Sequence, residues 1–147
     1  MKIINIILII FICFTQNNNI KEKNNNCSEP IKYVNRNQID PPALKINKIE
    51  GKVLSDIYPV PEACIGLFTD NEKDPKLILT TVTNKNGFFK IRNVKPNQYR
   101  LIVKYDSLCT ANIQIELLPS SNKNSVVVHM LNYGGYGMEG CSYADYK

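Results

Sequence analysis

Short runs of alternating apolar and polar residues, separated by proline and Asn-Gly turn signals, constrain this fold more than any other feature. Alternation with a period of two places successive side chains on opposite faces of a strand. Prolines such as Pro59 and Pro96 fall between the runs, where a missing N–H is tolerated. No helical spacing persists between residues 44 and 131, so the pattern predicts an all-β domain. The seven predicted strands are Ile46–Leu54, Ala63–Phe68, Leu77–Val82, Phe89–Ile91, Tyr99–Tyr105, Ile113–Leu117 and Val126–Leu131.

The number and spacing of these runs narrow the architecture further. Seven short strands in about 90 residues suit a Greek-key β-sandwich of the immunoglobulin-like kind, with a small barrel as the alternative. The dipeptide Asn86-Gly87 is a tight-turn signal because both residues tolerate positive φ. We therefore expect residues 44–131 to form a seven-stranded sandwich.

The two ends of the chain differ in composition from this domain. Lys2 and a short apolar run up to Phe14 predict a signal peptide over residues 1–16, since the run is too short to span a bilayer. Residues 17–43 are predicted to be an Asn-rich disordered linker. Residues 132–147 are predicted to be a Gly/Tyr-rich tail, either a flexible end or a loop pinned back through Cys141. Cys13 is a lipidation candidate of the bacterial lipoprotein kind, although Ile12 precedes it; ordinary secretion is the alternative. The expected location is the periplasm, the outer membrane or the extracellular space, with membrane contact only through lipid on Cys13.

Five cysteines are present. Apart from Cys13, the disulfide candidates in an exported domain are Cys27, Cys64, Cys109 and Cys141. Four cysteines allow three pairings, which sequence alone does not distinguish. We favour Cys27–Cys141 and Cys64–Cys109, because these would tie both tails to the body. No two cysteines have metal-ligand spacing, so no metal or other cofactor is predicted.

Charge and catalytic residues exclude several function classes. The formal net charge of +5 is spread along the chain without a basic cluster, so no nucleic-acid partner is expected. The single histidine, His129, is predicted to face away from Val128 and Met130, and no nucleophile-base set accompanies it, so no enzyme is predicted. Three acidic residues alternate in one loop, at Asp70, Glu72 and Asp74. The loop also contains lysines, and we interpret it as a solvated turn.

Four ordered motifs go beyond a generic β-pattern. They are Gly51-Lys52-Val53, Val60–Ile65, Thr81–Ile91 and Asn93–Val103. Together they resemble the carboxypeptidase regulatory-like domain, a transthyretin-like seven-stranded sandwich. Asn97, where the family prefers Gly, and Asn84, where it prefers Asp, are departures, and the family's Gly-Tyr pair after the last motif is absent. The residues that carry the resemblance are Gly51, Ala63, Gly87, Phe89, Pro96 and Tyr99.

The resemblance implies architecture more than activity, because such domains act as stabilising or binding modules. We expect a non-catalytic exported binding or assembly module of the bacterial cell envelope that contacts a protein or a polysaccharide. The alternative is a purely structural accessory domain that stabilises a larger envelope complex. The expected contact surfaces are a sheet edge, by strand addition, and the tail aromatics Tyr133, Tyr136, Tyr143 and Tyr146.

Overall fold

A computed structural model describes Cys27 and residues 30–34, 42–132 and 142–146. The predictions for the signal peptide, for Cys13, for Cys141 and for most of the linker lie outside these residues. No helix long and apolar enough to cross a membrane occurs in the described ranges. The regular secondary structure in those ranges consists of strands: β1 (Leu44–Ile46), β2 (Ile49–Ser55), β3 (Tyr58–Pro59), β4 (Cys64–Thr69), β5 (Leu77–Val82), β6 (Phe88–Ile91), β7 (Gln98–Lys104), β8 (Ala111–Leu117), β9 (Val126–His129) and β10 (Tyr143–Tyr146).

The strands form two sheets. The first sheet has the order β1-β8-β7-β4-β5, in which β1 runs parallel to β8 and the other pairs are antiparallel. The second sheet has the order β10-β9-β2-β3, and β6 also pairs with β2. Strand β9 runs parallel to β2 in this sheet. The prediction of an all-β domain is confirmed, with ten strands in the described residues where seven were predicted.

The additional strands have physical causes. The run Ile46–Leu54 is interrupted at Asn47, whose N–H donates to the Lys123 carbonyl. Ile46 therefore ends β1 in the first sheet, and the residues from Ile49 onward form β2 in the second. Pro59 lies in the two-residue strand β3, at a sheet edge that tolerates a residue without an N–H. The prediction of a flexible tail is wrong for residues 143–146, because β10 pairs with β9.

The core lies between the sheets and follows the alternation seen in the sequence. Ile65 of β4, Leu101 of β7 and Ile115 of β8 point inward from the first sheet, and Val53 and Val126 do so from the second. All five side chains are fully buried, and burial of each such side chain contributes about 1.5 to 3 kcal/mol to folding. The alternate positions on every strand therefore form the two outer faces of the sandwich.

Candidate binding face

An N-terminal strap, which we define as Cys27 and residues 30–34, packs on the outer face of the first sheet. Ile31 of the strap is buried against Phe68 of β4 and Ile102 of β7. The Tyr33 ring meets the edge of the Phe68 ring at a centroid distance of 5.6 Å. Because these outward positions are apolar, the strap shields them from water.

Two further features attach the strap. Cys27 forms a disulfide with Cys64 at the start of β4, and the Asn112 side-chain amide of β8 donates to the Val34 carbonyl. Gly66 leaves room for the strap, since a Cβ atom there would lie 2.7 Å from Ile31 Cγ2. A segment that the sequence placed in the linker is thus bonded to the sheet.

The disulfide differs from the favoured pairing. With Cys27 bonded to Cys64, the predicted bridges Cys27–Cys141 and Cys64–Cys109 are both wrong, and Cys109 is itself disulfide-bonded. The physical reason is the direction of the Cys64 side chain. Ala63 and Ile65 fill the core, so Cys64 points outward between them, toward the strap.

A buried polar cluster lies on the same outer face. The Asp70 carboxylate accepts hydrogen bonds from Arg100 Nε at 2.7 Å and from Gln114 Nε2 at 2.6 Å. Both ionic side chains are nearly inaccessible to solvent. The interpretation of this acidic loop as solvated is therefore wrong for Asp70, although Glu72 and Asp74 are exposed. The cluster fixes the β4–β5 loop to the sheet.

The outer face of the second sheet carries the exposed aromatic rings of Phe88 and Tyr143. We call its outward side chains the open face. Their neighbours along each strand, such as Val53, Phe89 and Val128, are buried in the core, so these positions face outward by alternation. The open face consists of Glu50, Lys52 and Leu54 of β2, Phe88 and Lys90 of β6, Val127 and His129 of β9, and Tyr143 and Asp145 of β10.

Aromatic side chains on the open face are accessible to a partner. Phe88 is 42% exposed and Tyr143 is 51% exposed, although large aromatic side chains usually lie inside. Lys52 Nζ lies 5.3 Å from the centre of the Phe88 ring, within cation–π range. The His129 ring stacks on Tyr143 with centroids 4.7 Å apart, and His129 Nε2 lies 4.0 Å from Asp145 Oδ2. These rings offer flat apolar surfaces beside charged groups.

A pocket of about 390 Å³ opens at one end of this face. The Lys90 ammonium forms an ion pair with Glu50 in its wall. The hydrogen bond from Lys90, and then the positive charges of Lys90, Lys48 and Arg92, hold the pKa of Glu50 below its ordinary value, against the opposing effect of burial. The pocket is lined by Glu50, Gly51, Lys52, Val82, Asn84, Phe88, Phe89, Lys90 and Ser125.

The motif residues singled out from sequence mostly build the fold. Gly87 has φ of 74° in the β5–β6 turn. The Tyr99 ring is buried in the core, its hydroxyl donates to the Lys95 carbonyl, and burial raises the pKa of that hydroxyl. Ala63 and Phe89 also lie in the core.

The remaining two motif residues lie in the backbone around the core. Gly51 pairs with Phe89 and Val126 in the middle of the second sheet. Pro96 is exposed in the β6–β7 loop, where Asn93 has positive φ and Asn97 does not. Of the six motif residues, only Gly51 and Phe89 line the pocket.

Sequence reasoning did not find the open face. Lys52, Phe88 and Val127 are far apart in the chain, and the register of β6, β2 and β9 brings them side by side. One signal was available: Phe88 precedes the inward residue Phe89, so alternation places its large aromatic ring on the outside. The neighbours of that ring depend on the sheet order, which the alternation does not contain.

Comparisons with known proteins give no family for this chain. No protein-family model matches it, and a search of curated proteins finds no match. The resemblance to the carboxypeptidase regulatory-like domain therefore stays a prediction that rests on the motif residues.

Proposed function

We propose that this protein is a non-catalytic, exported binding module of the bacterial cell envelope, and that the open face is its binding surface. The observation that carries the proposal is the contrast between the two outer faces. The strap covers Phe68 and Ile102 in the middle of the first sheet, whereas Phe88 and Tyr143 are exposed on the second. Exposed aromatic rings rimmed by polar groups mark interaction surfaces.

Export is supported by two independent features. The short apolar run after Lys2 has the form of a signal peptide. The Cys27–Cys64 bridge and the disulfide-bonded Cys109 suit an oxidising compartment, because cytosolic thiols are kept reduced. The proposed location is the periplasm, the outer membrane through lipid on Cys13, or the outside of the cell.

The finer fold assignment, a transthyretin-like Greek-key sandwich, belongs to the same proposal. Its support comes from the positions of single strands and of one turn. The strands β2, β4, β5, β6, β7, β8 and β9 coincide with the seven predicted runs, and Gly87 takes the positive φ that the motif requires of its turn.

The partner proposed from the sequence is an envelope protein or polysaccharide, and the chemistry of the open face fits a polymer. Aromatic rings stack on flat apolar surfaces, and the ammonium groups of Lys52 and Lys90 donate hydrogen bonds to oxygen acceptors. Four groups cross the sheet in strand order: Phe88 on β6, Lys52 on β2, His129 on β9 and Tyr143 on β10. Such a row suits an extended ligand.

The test is capture by the full-length chain, expressed for export and purified with its disulfides intact. The bait is incubated in parallel with solubilised envelope extract and with insoluble cell-wall polysaccharide, and specific capture is competed with untagged protein. Phe88→Ala combined with Tyr143→Ala should abolish capture. Tyr105→Ala is the matched control, since Tyr105 is also exposed but follows β7 of the first sheet. Capture that persists in the double variant and disappears in the control would contradict the proposal.

A further inference from the structure

The pocket on the open face has the size of a ligand site. Its volume of about 390 Å³ lies within the range of about 300 to 1,000 Å³ that small-ligand pockets occupy. Phe88 supplies an apolar ring to its lining, and Asn84 and Ser125 supply polar groups. The Asn84 side chain is held in place, because its Oδ1 accepts the backbone N–H groups of Asn86 and Phe88. Its amide is therefore a positioned hydrogen-bond donor.

The charges around the pocket favour an anion. Lys52 and Lys90 line it, and Glu50 is the only carboxylate among the lining residues. The positive charges of Lys48 and Arg92 also act on Glu50. The lining thus carries two cations and one carboxylate, and Lys48 and Arg92 act on that carboxylate from outside the lining. The excess of positive charge at this end of the face attracts negative groups.

We infer that the pocket binds the carboxylate-bearing sugar of an acidic polysaccharide. This inference rests on the proposed function and names the class of ligand. Phe88 would contact the flat face of the sugar ring, while Lys52 and Lys90 would pair with the carboxylate and Asn84 and Ser125 would bond to hydroxyl groups. Lys52 Nζ lies over the Phe88 ring, 5.3 Å from its centre, and the ring is 42% exposed, so the ammonium group and the exposed part of the ring would contact one sugar and its carboxylate together.

The rest of the open face indicates a chain of sugars. Phe88 of β6 pairs with Lys52 of β2, and Leu54, two residues further along β2, pairs with His129 of β9. His129 therefore lies two strands away from Phe88 and two residues further along the strand direction. Strand spacing and rise per residue then separate Phe88 from the His129–Tyr143 stack by about 12 Å. A second aromatic surface at this distance suits another ring of the same polymer.

The test uses two probes that differ only in charge: polygalacturonate and the same polymer with its carboxylates methyl-esterified. Binding of the full-length, oxidised chain is measured by isothermal titration at low and high salt. We expect affinity for the acid form at least about tenfold above that for the ester, and a loss of this preference in high salt. A polymer of neutral sugars and a single-stranded oligonucleotide complete the series.

Four charge variants locate the effect. Lys52→Gln and Lys90→Gln should each weaken binding of polygalacturonate about fivefold, the size expected of one ion pair near the surface. Lys76→Gln changes the net charge equally, but Lys76 is exposed beside Asp74 in the β4–β5 loop, and it should leave the affinity unchanged. Glu50→Gln should strengthen binding, because it removes the carboxylate. A weakening by Glu50→Gln would instead indicate that the Lys90–Glu50 pair only maintains the fold.

The outcomes separate this inference from the proposed function. Equal binding of the acid and ester forms, or binding of the neutral polymer alone, overturns the acidic ligand and leaves a polysaccharide-binding module. Equally tight binding of the oligonucleotide overturns it in favour of an unspecific polyanion site. No binding of any polysaccharide, together with competed capture of one envelope protein, overturns the inference alone. The absence of any binding, in these titrations and in the capture experiment, overturns both.

Discussion

The strap provides the sharpest test of how this domain is stabilised. We consider the double variant Cys27→Ala and Cys64→Ala, which removes the bridge and leaves no unpaired thiol at either position. The two cysteines are 37 residues apart. Closing a loop of this length in the unfolded chain contributes about 4 kcal/mol to the free energy of unfolding in the chain-entropy description. For a domain of this size, a loss of that order is a large part of the total stability.

The variant Ile31→Ala distinguishes the contribution of the disulfide to stability from that of the packing beneath the strap. Ile31→Ala leaves the disulfide in place and removes the contacts with Phe68 and Ile102. A buried Ile→Ala change costs about 2 to 5 kcal/mol, and the lower end is expected here because the strap can shift at the surface. In the cysteine double variant the strap is released as well, so adding Ile31→Ala should then cost less than it does alone.

The assay is urea unfolding of the full-length, oxidised chain, followed by circular dichroism. We expect a lower midpoint with an unchanged transition slope for Ile31→Ala, and a lower midpoint with a steeper slope for the cysteine variant, whose unfolded state is less compact. A loss below about 1 kcal/mol in the cysteine variant would contradict the chain-entropy description, which expects about 4 kcal/mol for a loop of this length. Full additivity of the two changes would also show that the strap is not held by the disulfide.

Three further changes test other parts of the structure. Gly87→Ala should lower the thermal midpoint by an amount equivalent to about 1 to 3 kcal/mol, since φ is 74° and the new Cβ would lie 2.6 Å from the Val53 carbonyl oxygen. Asp70→Asn should lower the free energy of unfolding in urea by about 3 kcal/mol, because it leaves the buried Arg100 guanidinium without its nearest carboxylate. The control Asp74→Asn breaks the exposed pair with Lys76 and should cost less than about 0.5 kcal/mol. Equal losses would contradict the stabilising role of the buried Asp70–Arg100 pair. Because the pKa of Glu50 is lowered in the folded chain, Glu50 stabilises the fold at pH values above its ordinary pKa of 4.5. This contribution is lost as the pH falls through the folded-state pKa. Glu50→Gln should therefore reduce the decline of the urea midpoint below about pH 4.5, and an unchanged decline would exclude the contribution.

The strands and the core were predictable because they depend on local alternation. Ile65, Leu101 and Ile115 belong to runs with a period of two, and each points into the core. The turn at Gly87 is equally local, since its positive φ follows from the Asn-Gly dipeptide. The division of the run Ile46–Leu54 into β1 and β2 was not predictable in this way, because it depends on a hydrogen bond from Asn47 to the distant Lys123.

The strap and the open face could not be predicted because they depend on long-range placement. Ile31 and Tyr33 lie in a polar segment, and only their alternation after Pro30 hinted at a packed strand-like piece. The partner of Cys27 depends on where the strap crosses β4. Strand β10 lies in a Gly/Tyr-rich tail with no apolar run, and its pairing with β9 stabilises a conformation that local propensity does not favour.

Amide chemical-shift mapping shows whether the open face is the surface that binds the partner. The isotope-labelled full-length chain is titrated with the captured envelope polymer or with polygalacturonate. We expect the largest shifts at Lys52, Phe88, Lys90 and Ser125, and unchanged signals at the outward-facing positions of β4 and β7. Shifts concentrated on the strap and on Phe68 of the first sheet would contradict it.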